Sequence, residues 1–237
     1  LFNSNIGKLF LKFLSMITKG NILKIMAKSA ECAVESKLVG LEKGTCLIGE
    51  DRTCFWNRQI LEANNNVRCQ CGSDNSSMSW HNSLAEHEAN YAKELATKNK
   101  CKIRSGFNGH TTTFTDPTTK KTYKFSENIA ISGKYSSSAS DKLKAGESAV
   151  NGWSSEGIGK YATKKDSSNY TAMNWNTNTL VGCGSEYCSE AENYITVCAY
   201  TNEEGDAGNT YSGLSKSNKN KKISENVNCE NPIFLGL

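Results

Sequence analysis

The sequence predicts a mixed α+β domain in which helices pack on a central pair of antiparallel strands. Two short strands are predicted at about residues 179–187 and 193–200, on either side of the polar turn SEAEN. In the second strand Tyr, Thr and Cys alternate with Ile, Val and Ala, the two-residue period of a strand that is buried on both faces. Upstream of this hairpin, apolar residues recur at helical spacing and predict the helices.

The predicted hairpin carries two cysteines at matching positions. If the hairpin centres on SEAEN, Cys183 and Cys198 lie directly opposite each other, close enough for a cross-strand disulfide. Met173 and Trp175 precede the first strand and supply bulk for a core. This stapled hairpin is the predicted centre of the domain.

The chain contains ten cysteines, which favour an oxidising compartment because structural disulfides do not persist in a reducing cytosol. The spacings Cys69-x-Cys71 and Cys183-x4-Cys188 fit no zinc ribbon, since partner pairs at the right intervals are lacking. The alternative is that some of the cysteines are free, buried thiols. The cysteine content therefore predicts a secreted, extracellular protein.

The net charge of +4 is distributed unevenly along the chain. Residues 1–30 contain five lysines and no acidic residue, so they contribute +5 and the remainder of the chain sums to −1. A nearly neutral domain argues against a nucleic-acid partner. No apolar run reaches the ~20 residues that a membrane-spanning helix requires.

Residues 1–28 are predicted to form a basic amphipathic helix, with lysines on one side and large apolar residues on the other. Three interpretations stay open: an interfacial membrane binder, a helix docked on the domain or on a second copy, or a targeting segment. The apolar residues are Phe2, Ile6, Leu9, Phe10, Phe13, Leu14 and Ile17.

Two further segments flank the predicted domain. Residues 29–54 contain three cysteines and are interpreted as a disulfide-tied connection. Residues 214–237 begin as a stretch rich in lysine and asparagine and are interpreted as a solvated tail. The domain itself is assigned to residues 55–213.

Three helices are predicted from apolar spacing, the first from about residue 55 to Arg68. The second lies between Met78 and Cys101, where a stripe of alanines would let it sit close to a sheet. His87 falls opposite that stripe and is expected to be exposed. The third helix spans about residues 143–153. The alanines of the stripe are Ala85, Ala89, Ala92 and Ala96.

Short motifs follow one another along the predicted domain. They are ILEANNNVR, SENIA, WSSE, Y-T-x-M-x-W, G-C-G, V-C-x-Y and finally Gly-Asn at residues 208–209. As a set in this order, they resemble the CAP superfamily (SCP/TAPS domain) of cysteine-rich secretory proteins, insect antigen 5 and plant pathogenesis-related proteins. The resemblance implies a three-layer α-β-α sandwich with a central, mostly antiparallel sheet. It also implies pairing of Cys188 with either Cys69 or Cys71.

CAP proteins usually carry two His and two Glu around a central cleft, and some members bind a divalent metal there. Carried over by position, the two acids are Glu127 in SENIA and Glu156 in WSSE. Asn169 and Ser105 stand where the family pattern has His, while His110 lies nearby and could substitute for one of them. The motif ILEANNNVR ends the first predicted helix and is the first-helix motif. The family pattern has a further His there, and this chain has Asn64 at that position.

These departures argue against a metal site, because neutral imidazole is a good zinc ligand and the Asn amide is a poor one. We expect no cofactor, with a weakly bound divalent cation at the carboxylates as the alternative. A structural interpretation is also open, in which Glu127 and Glu156 accept hydrogen bonds from loop backbones and from Asn169.

The resemblance implies a secreted protein that binds a lipid, a sterol or a host or partner protein, and that is not an enzyme. One alternative is a divalent-metal-dependent hydrolase that uses Glu127 and Glu156 with His110. Another is a membrane-active protein in which residues 1–28 bind a membrane surface.

Overall fold

The computed structural model describes residues 52–70, 77–98, 101, 111–156 and 169–207. The predictions for residues 1–28, for most of 29–54 and for 214–237 lie outside this part of the chain. In chain order the elements are α1 (Arg52–Gln70), β1 (Ser79–Trp80), α2 (Asn82–Lys98), β2 (Thr113–Thr115), β3 (Thr122–Lys124), β4 (Ser126–Ser132), α3 (Ala139–Ser155), α4 (Asn169–Asn174), β5 (Leu180–Cys188) and β6 (Asn193–Thr201).

A four-stranded sheet with the order β1-β5-β6-β4 lies at the centre. Strand β1 pairs with β5 in parallel, and the other two pairings are antiparallel, as the predicted mostly antiparallel sheet requires. In the β5–β6 hairpin Cys183 lies opposite Cys198, and the two form a disulfide with a Cα–Cα distance of 4.1 Å. A separate two-stranded hairpin, β2–β3, was not predicted.

Helices cover both faces of the sheet and give three layers. On β6, Ile195, Val197 and Ala199 pack in clusters that contain buried residues of α2. The alternate residues Cys198 and Tyr200 pack in a cluster with buried residues of α1, α3 and α4. Because successive side chains of a strand point to opposite faces, β6 separates an α2 face from an α1/α3 face. The structure therefore confirms the predicted α-β-α sandwich.

Helix α2 approaches β5 very closely. A Cβ on Gly182 or Gly184 would collide with the α2 backbone at Ala85 and Ala89. Only glycine on β5 permits this approach. On the helix side, the predicted stripe of alanines allows it, because their side chains are small. The side chains that α2 buries are Leu84, Ala85, Glu88, Ala92 and Leu95.

The second described disulfide corrects the pairing implied by the resemblance. Cys188 pairs with Cys101, with a Cα–Cα distance of 6.1 Å, and not with Cys69 or Cys71. The reason is the alternation of β5: Cys188 follows Cys183 by five residues and so faces the opposite side of the sheet. That side is covered by α2, and Cys101 follows α2 directly. Cys69 belongs to α1, in the other layer.

No helix within the described ranges is both long enough and apolar enough to cross a membrane.

Candidate functional site

The three cleft residues that the structure describes lie on three elements around the edge strand β4. Glu127 is in β4, Glu156 is the C-cap of α3, and Asn169 is the first residue of α4. Ser105 and His110 lie outside the described residues, as does Cys71; α1 includes Cys69, but its side chain is not described. The described part of the cleft therefore consists of two acids and one asparagine.

Glu156 and Asn169 form a closed pair. Glu156 Oε1 accepts a hydrogen bond of 2.7 Å from Asn169 Nδ2, and Oε2 accepts one of 3.0 Å from the Asn169 backbone N–H. The backbone N–H groups of a first helical turn have no partner within the helix, so the carboxylate satisfies one of them. The Asn169 carbonyl in turn accepts from Asn128 Nδ2 at 2.9 Å. This chain of bonds joins α3, α4 and β4.

Glu127 is engaged differently. Its Oε2 accepts a 2.6 Å hydrogen bond from Thr111 Oγ1. The side chain is half-buried, and because Glu127 is paired with Ala199, which packs against α2, it lies on the α2 side of β4. Its neighbour there is Glu88. Glu127 and Glu156 are therefore each held by partners other than one another.

Glu88 is the residue that the sequence interpretation missed. Its side chain is fully buried in α2. Burial, first, and the charge of the neighbouring Glu127 raise the Glu88 pKa well above its ordinary value. A signal was present in the sequence, because Glu88 lies four residues after Leu84 and four before Ala92. An acid within an otherwise apolar i, i+4 series marks a buried carboxyl group.

His87 corrects a second expectation. It is half-buried, not exposed, and its ring centre lies 5.0 Å from that of Phe114 and 5.8 Å from that of Phe125. Burial lowers the His87 pKa, which favours the neutral imidazole. Its Nε2 atom is 4.0 Å from Glu88 Oε1. The aromatic contacts come from Phe114 in β2 and from Phe125, which directly precedes β4, and β2 was not predicted.

Asn64 and Arg68, both in the first-helix motif, contribute to a buried polar network. Asn64 Oδ1 accepts a 3.1 Å hydrogen bond from the Tyr200 hydroxyl, and Asn64 Nδ2 donates to the Ile60 carbonyl at 2.9 Å. Arg68 Nη1 donates to the carbonyls of Met173 and Trp175 at 2.7 and 2.9 Å. Burial lowers the Arg68 pKa to about 10, so the guanidinium stays charged at neutral pH. These contacts attach α1 to α4 and β6.

The described side chains fit a metal ion poorly. Among them, no group of three or more His, Cys, Asp or Glu residues is arranged to hold one. Asn169 would have to give up its hydrogen bonds to Glu156, and an amide is a weak ligand for zinc.

A groove lies at the outer edge of β5, between the start of α1 and the start of α2. Its volume is about 290 Å³, and its walls are mainly apolar. We call it the β5 groove. Lys142 borders it, with Nζ 5.2 Å from the centre of the Trp56 ring. Burial lowers the Lys142 pKa, and the nearby Glu186 carboxylate partly offsets this effect. The other lining residues are Asn57, Asn82, Ala85, Glu86, Ala89, Cys183, Gly184 and Ser185.

The fold places the protein in the class of disulfide-bonded, three-layer α-β-α domains with a cross-linked central hairpin. The model of the cysteine-rich secretory protein family, CAP, matches residues 61–200, which is more than half of the chain. The protein therefore belongs to the CAP family.

Several solved structures are similar to the chain. Venom allergen-like protein 4 of Schistosoma mansoni (SmVAL4) is 23% identical, with 62% of this chain and 88% of that chain covered and a TM-score of 0.40. BmVAL-1 is 20% identical, with 65% and 78% covered and a TM-score of 0.45. NaASP2, solved with Zn²⁺, is 19% identical, with 71% and 93% covered and a TM-score of 0.44. None of the curated proteins compared with the chain matches it.

Proposed function

We propose that this CAP protein is secreted and acts by binding a lipid or sterol in the β5 groove rather than by catalysis. The observation that carries the proposal is the groove itself, which combines mainly apolar walls with a lysine at its border. Small-molecule sites are usually concave and mostly apolar, with a few polar groups that orient the ligand. An amphiphile matches this arrangement if its acidic head group lies at Lys142, away from the Glu86 carboxylate that also lines the groove, and its tail contacts the apolar walls.

Extracellular location is supported by the disulfides. Cys183–Cys198 and Cys101–Cys188 each join different parts of the domain, and bonds of this kind persist in oxidising compartments.

The binding interpretation is also supported by the state of the two cleft acids. A general base or a metal-bound nucleophile needs a carboxylate that is free to take a proton or hold an ion. Glu156 uses both oxygens on Asn169, and Glu127 accepts from Thr111. For the rival hydrolase hypothesis we expect well below one zinc per chain by elemental analysis after dialysis. Stoichiometric zinc that is lost on His110→Ala would restore that hypothesis.

The groove can be tested by filling it. Ala89 is exposed and lines the β5 groove, so Ala89→Leu should occupy part of its volume. We expect displacement titrations with a fluorescent fatty acid and a fluorescent sterol to show at least roughly tenfold weaker binding, the loss of about 1.4 kcal/mol. Asn90→Leu is the matched control, because Asn90 is exposed on the same helix and does not line the groove.

Lys142→Gln distinguishes the two ligand classes. It should weaken binding of the fatty acid, whose carboxylate the ammonium attracts, and leave sterol binding nearly unchanged. If the wild-type protein binds neither probe, the lipid proposal is wrong, and binding of a partner protein becomes the leading interpretation.

A second candidate function belongs to residues 1–28. Their five lysines and apolar stripe support binding to an anionic membrane surface, where each lysine adds about 1 kcal/mol. Flotation with anionic and neutral vesicles at low and high salt should show salt-sensitive binding to the anionic vesicles only. A chain lacking residues 1–28 should not float. If instead the shortened chain fails to associate or melts at a lower temperature, the segment is a docking element.

A further inference from the structure

Glu88 lies in an environment that does not suit a charged carboxylate. Its side chain is fully buried, and neither carboxyl oxygen has a hydrogen-bond donor among the described residues. Leaving an ionised carboxylate in such a place costs several kcal/mol, so a buried acid of this kind takes up a proton instead.

Glu127 on β4 is paired in register with Ala199 of β6, and Ala199 packs against Leu84 of α2, so the Glu127 side chain lies on the α2 face. The group that faces Glu88 across this interface is therefore a second carboxyl, that of Glu127. Two ionised carboxylates are both acceptors and cannot hydrogen-bond to each other, whereas one proton makes one of them a donor. The other ionisable groups near Glu88 in the described structure come from its own helix, namely His87 and Tyr91. The nearby residues of β5 and β2, Gly184 and Phe114, carry no charge.

The surroundings also decide which of the two acids holds the proton. Glu127 is only half-buried and already accepts a hydrogen bond from Thr111, so both solvent and a donor are available to it. Glu88 has neither solvent nor a donor. We propose that Glu88 and Glu127 share one proton, with Glu88 as the carboxylic acid that donates to the Glu127 carboxylate, and that this bond latches α2 to the sheet. We call it the Glu88–Glu127 latch.

Loss of the proton to bulk water would break the latch and place two negative charges side by side. The helix has little freedom to relieve them, because its backbone at Glu88 and Ala89 already lies against Gly184. The folded protein thus binds this proton more tightly than the unfolded chain, in which Glu88 has its ordinary pKa of 4.5. The stability contributed by the latch is complete below that pH and falls as the pH rises through the elevated folded-state value.

The test compares two glutamates of the same helix. Glu88→Gln keeps the shape and supplies a permanent donor, whereas Glu86→Gln changes an exposed residue. We expect Glu88→Gln to raise the melting temperature at pH 8 by about 2–4 °C and to flatten its decline between pH 5 and pH 8. Glu86→Gln should follow the wild-type curve. If the melting temperature of Glu88→Gln declines with pH as steeply as that of the wild type, the proposed latch is wrong.

Infrared difference spectra give a readout that packing alone would not change. The carbonyl band of a protonated carboxyl group should be present at pH 7 in the wild type and in Glu86→Gln, and reduced in Glu88→Gln. If Glu88→Gln does not fold, Glu127→Gln takes its place and should shift the pH at which the wild-type band disappears. An unshifted band, or no band at neutral pH in the wild type, refutes the proposal.

Discussion

The helices α1 and α2, on opposite faces of the sheet, bury polar side chains in opposite ways. On the α1/α3 face, Asn64, Asn65 and Arg68 each donate to main-chain carbonyl groups. On the α2 face, Glu88 finds another carboxyl group and no donor. Buried polar groups stabilise a fold only when donors meet acceptors. The buried contacts of α1 are therefore fixed, whereas those of α2 depend on whether one carboxyl group holds a proton.

The largest effect should come from the disulfide of the α2 face. Cys101 and Cys188 are 87 residues apart, and a cross-link that closes a loop of this length stabilises by about 4.6 kcal/mol in the chain-entropy model. We expect urea unfolding of the double variant Cys101→Ala/Cys188→Ala to show the loss of most of this stabilisation free energy. Cys183→Ala/Cys198→Ala, which opens a loop of 15 residues, should lose less, about 3 kcal/mol.

A peptide map of the unreduced protein checks the connectivity behind that comparison. It should contain Cys188 linked to Cys101 and Cys183 linked to Cys198. Recovery of Cys188 linked to Cys69 or Cys71 would show that the assignment of this bond to the α2 face is wrong.

Arg68 provides the next largest effect, on the α1/α3 face. Arg68→Leu removes the charged donor to the Met173 and Trp175 carbonyls. The Trp175 carbonyl keeps a hydrogen bond from the Asn178 backbone N–H, so the loss should be about 3 kcal/mol. Urea unfolding measures the change. Arg58→Leu is the control on the same helix, because its ion pair with Glu62 at 3.7 Å is partly exposed and contributes at most about 1 kcal/mol. If both variants lose the same free energy of unfolding, the buried bonds of Arg68 contribute no more than the partly exposed ion pair of Arg58.

The smallest of the three effects tests the closeness of α2 to β5. Gly184→Ala places a Cβ against the helix backbone, and we expect about 1–3 kcal/mol of destabilisation from overpacking. Gly152→Ala is the opposite control, since a Cβ there meets nothing within 4 Å and the residue lies inside α3. That variant should gain about 0.5–1 kcal/mol. Thermal melting distinguishes the two signs.

Much of the fold could be predicted from the sequence, because strong periodic signals lie in its long elements. The hairpin register followed from the position of SEAEN, and the structure has β5 and β6 within about a residue of the predicted strands. The helices followed from apolar spacing. The short elements β1, β2, β3 and α4 have two to six residues each, too few for a period to show.

The site was less predictable, since it depends on which face each side chain occupies. The contact of Glu156 with Asn169 was anticipated as one interpretation of the cleft. Glu88 was missed because the buried face of the helix was assigned from its alanines. One of these, Ala89, is exposed, whereas its neighbour Glu88 is buried. The partner of Cys188 was misassigned because the two-residue period of the strand was not applied from Cys183 to Cys188. That period places the two cysteines on opposite faces of the sheet.

The separations of the two disulfides also bear on the order in which the chain folds. Closing a loop costs more entropy as the loop lengthens, and contacts distant in sequence form late. The Cys183–Cys198 bond needs only the local hairpin, so it can form while the rest of the chain is still unfolded. The Cys101–Cys188 bond needs α2 to have reached the sheet. Oxidative refolding should therefore accumulate a one-disulfide species that contains the hairpin bond, and docking of α2 should be the slow step.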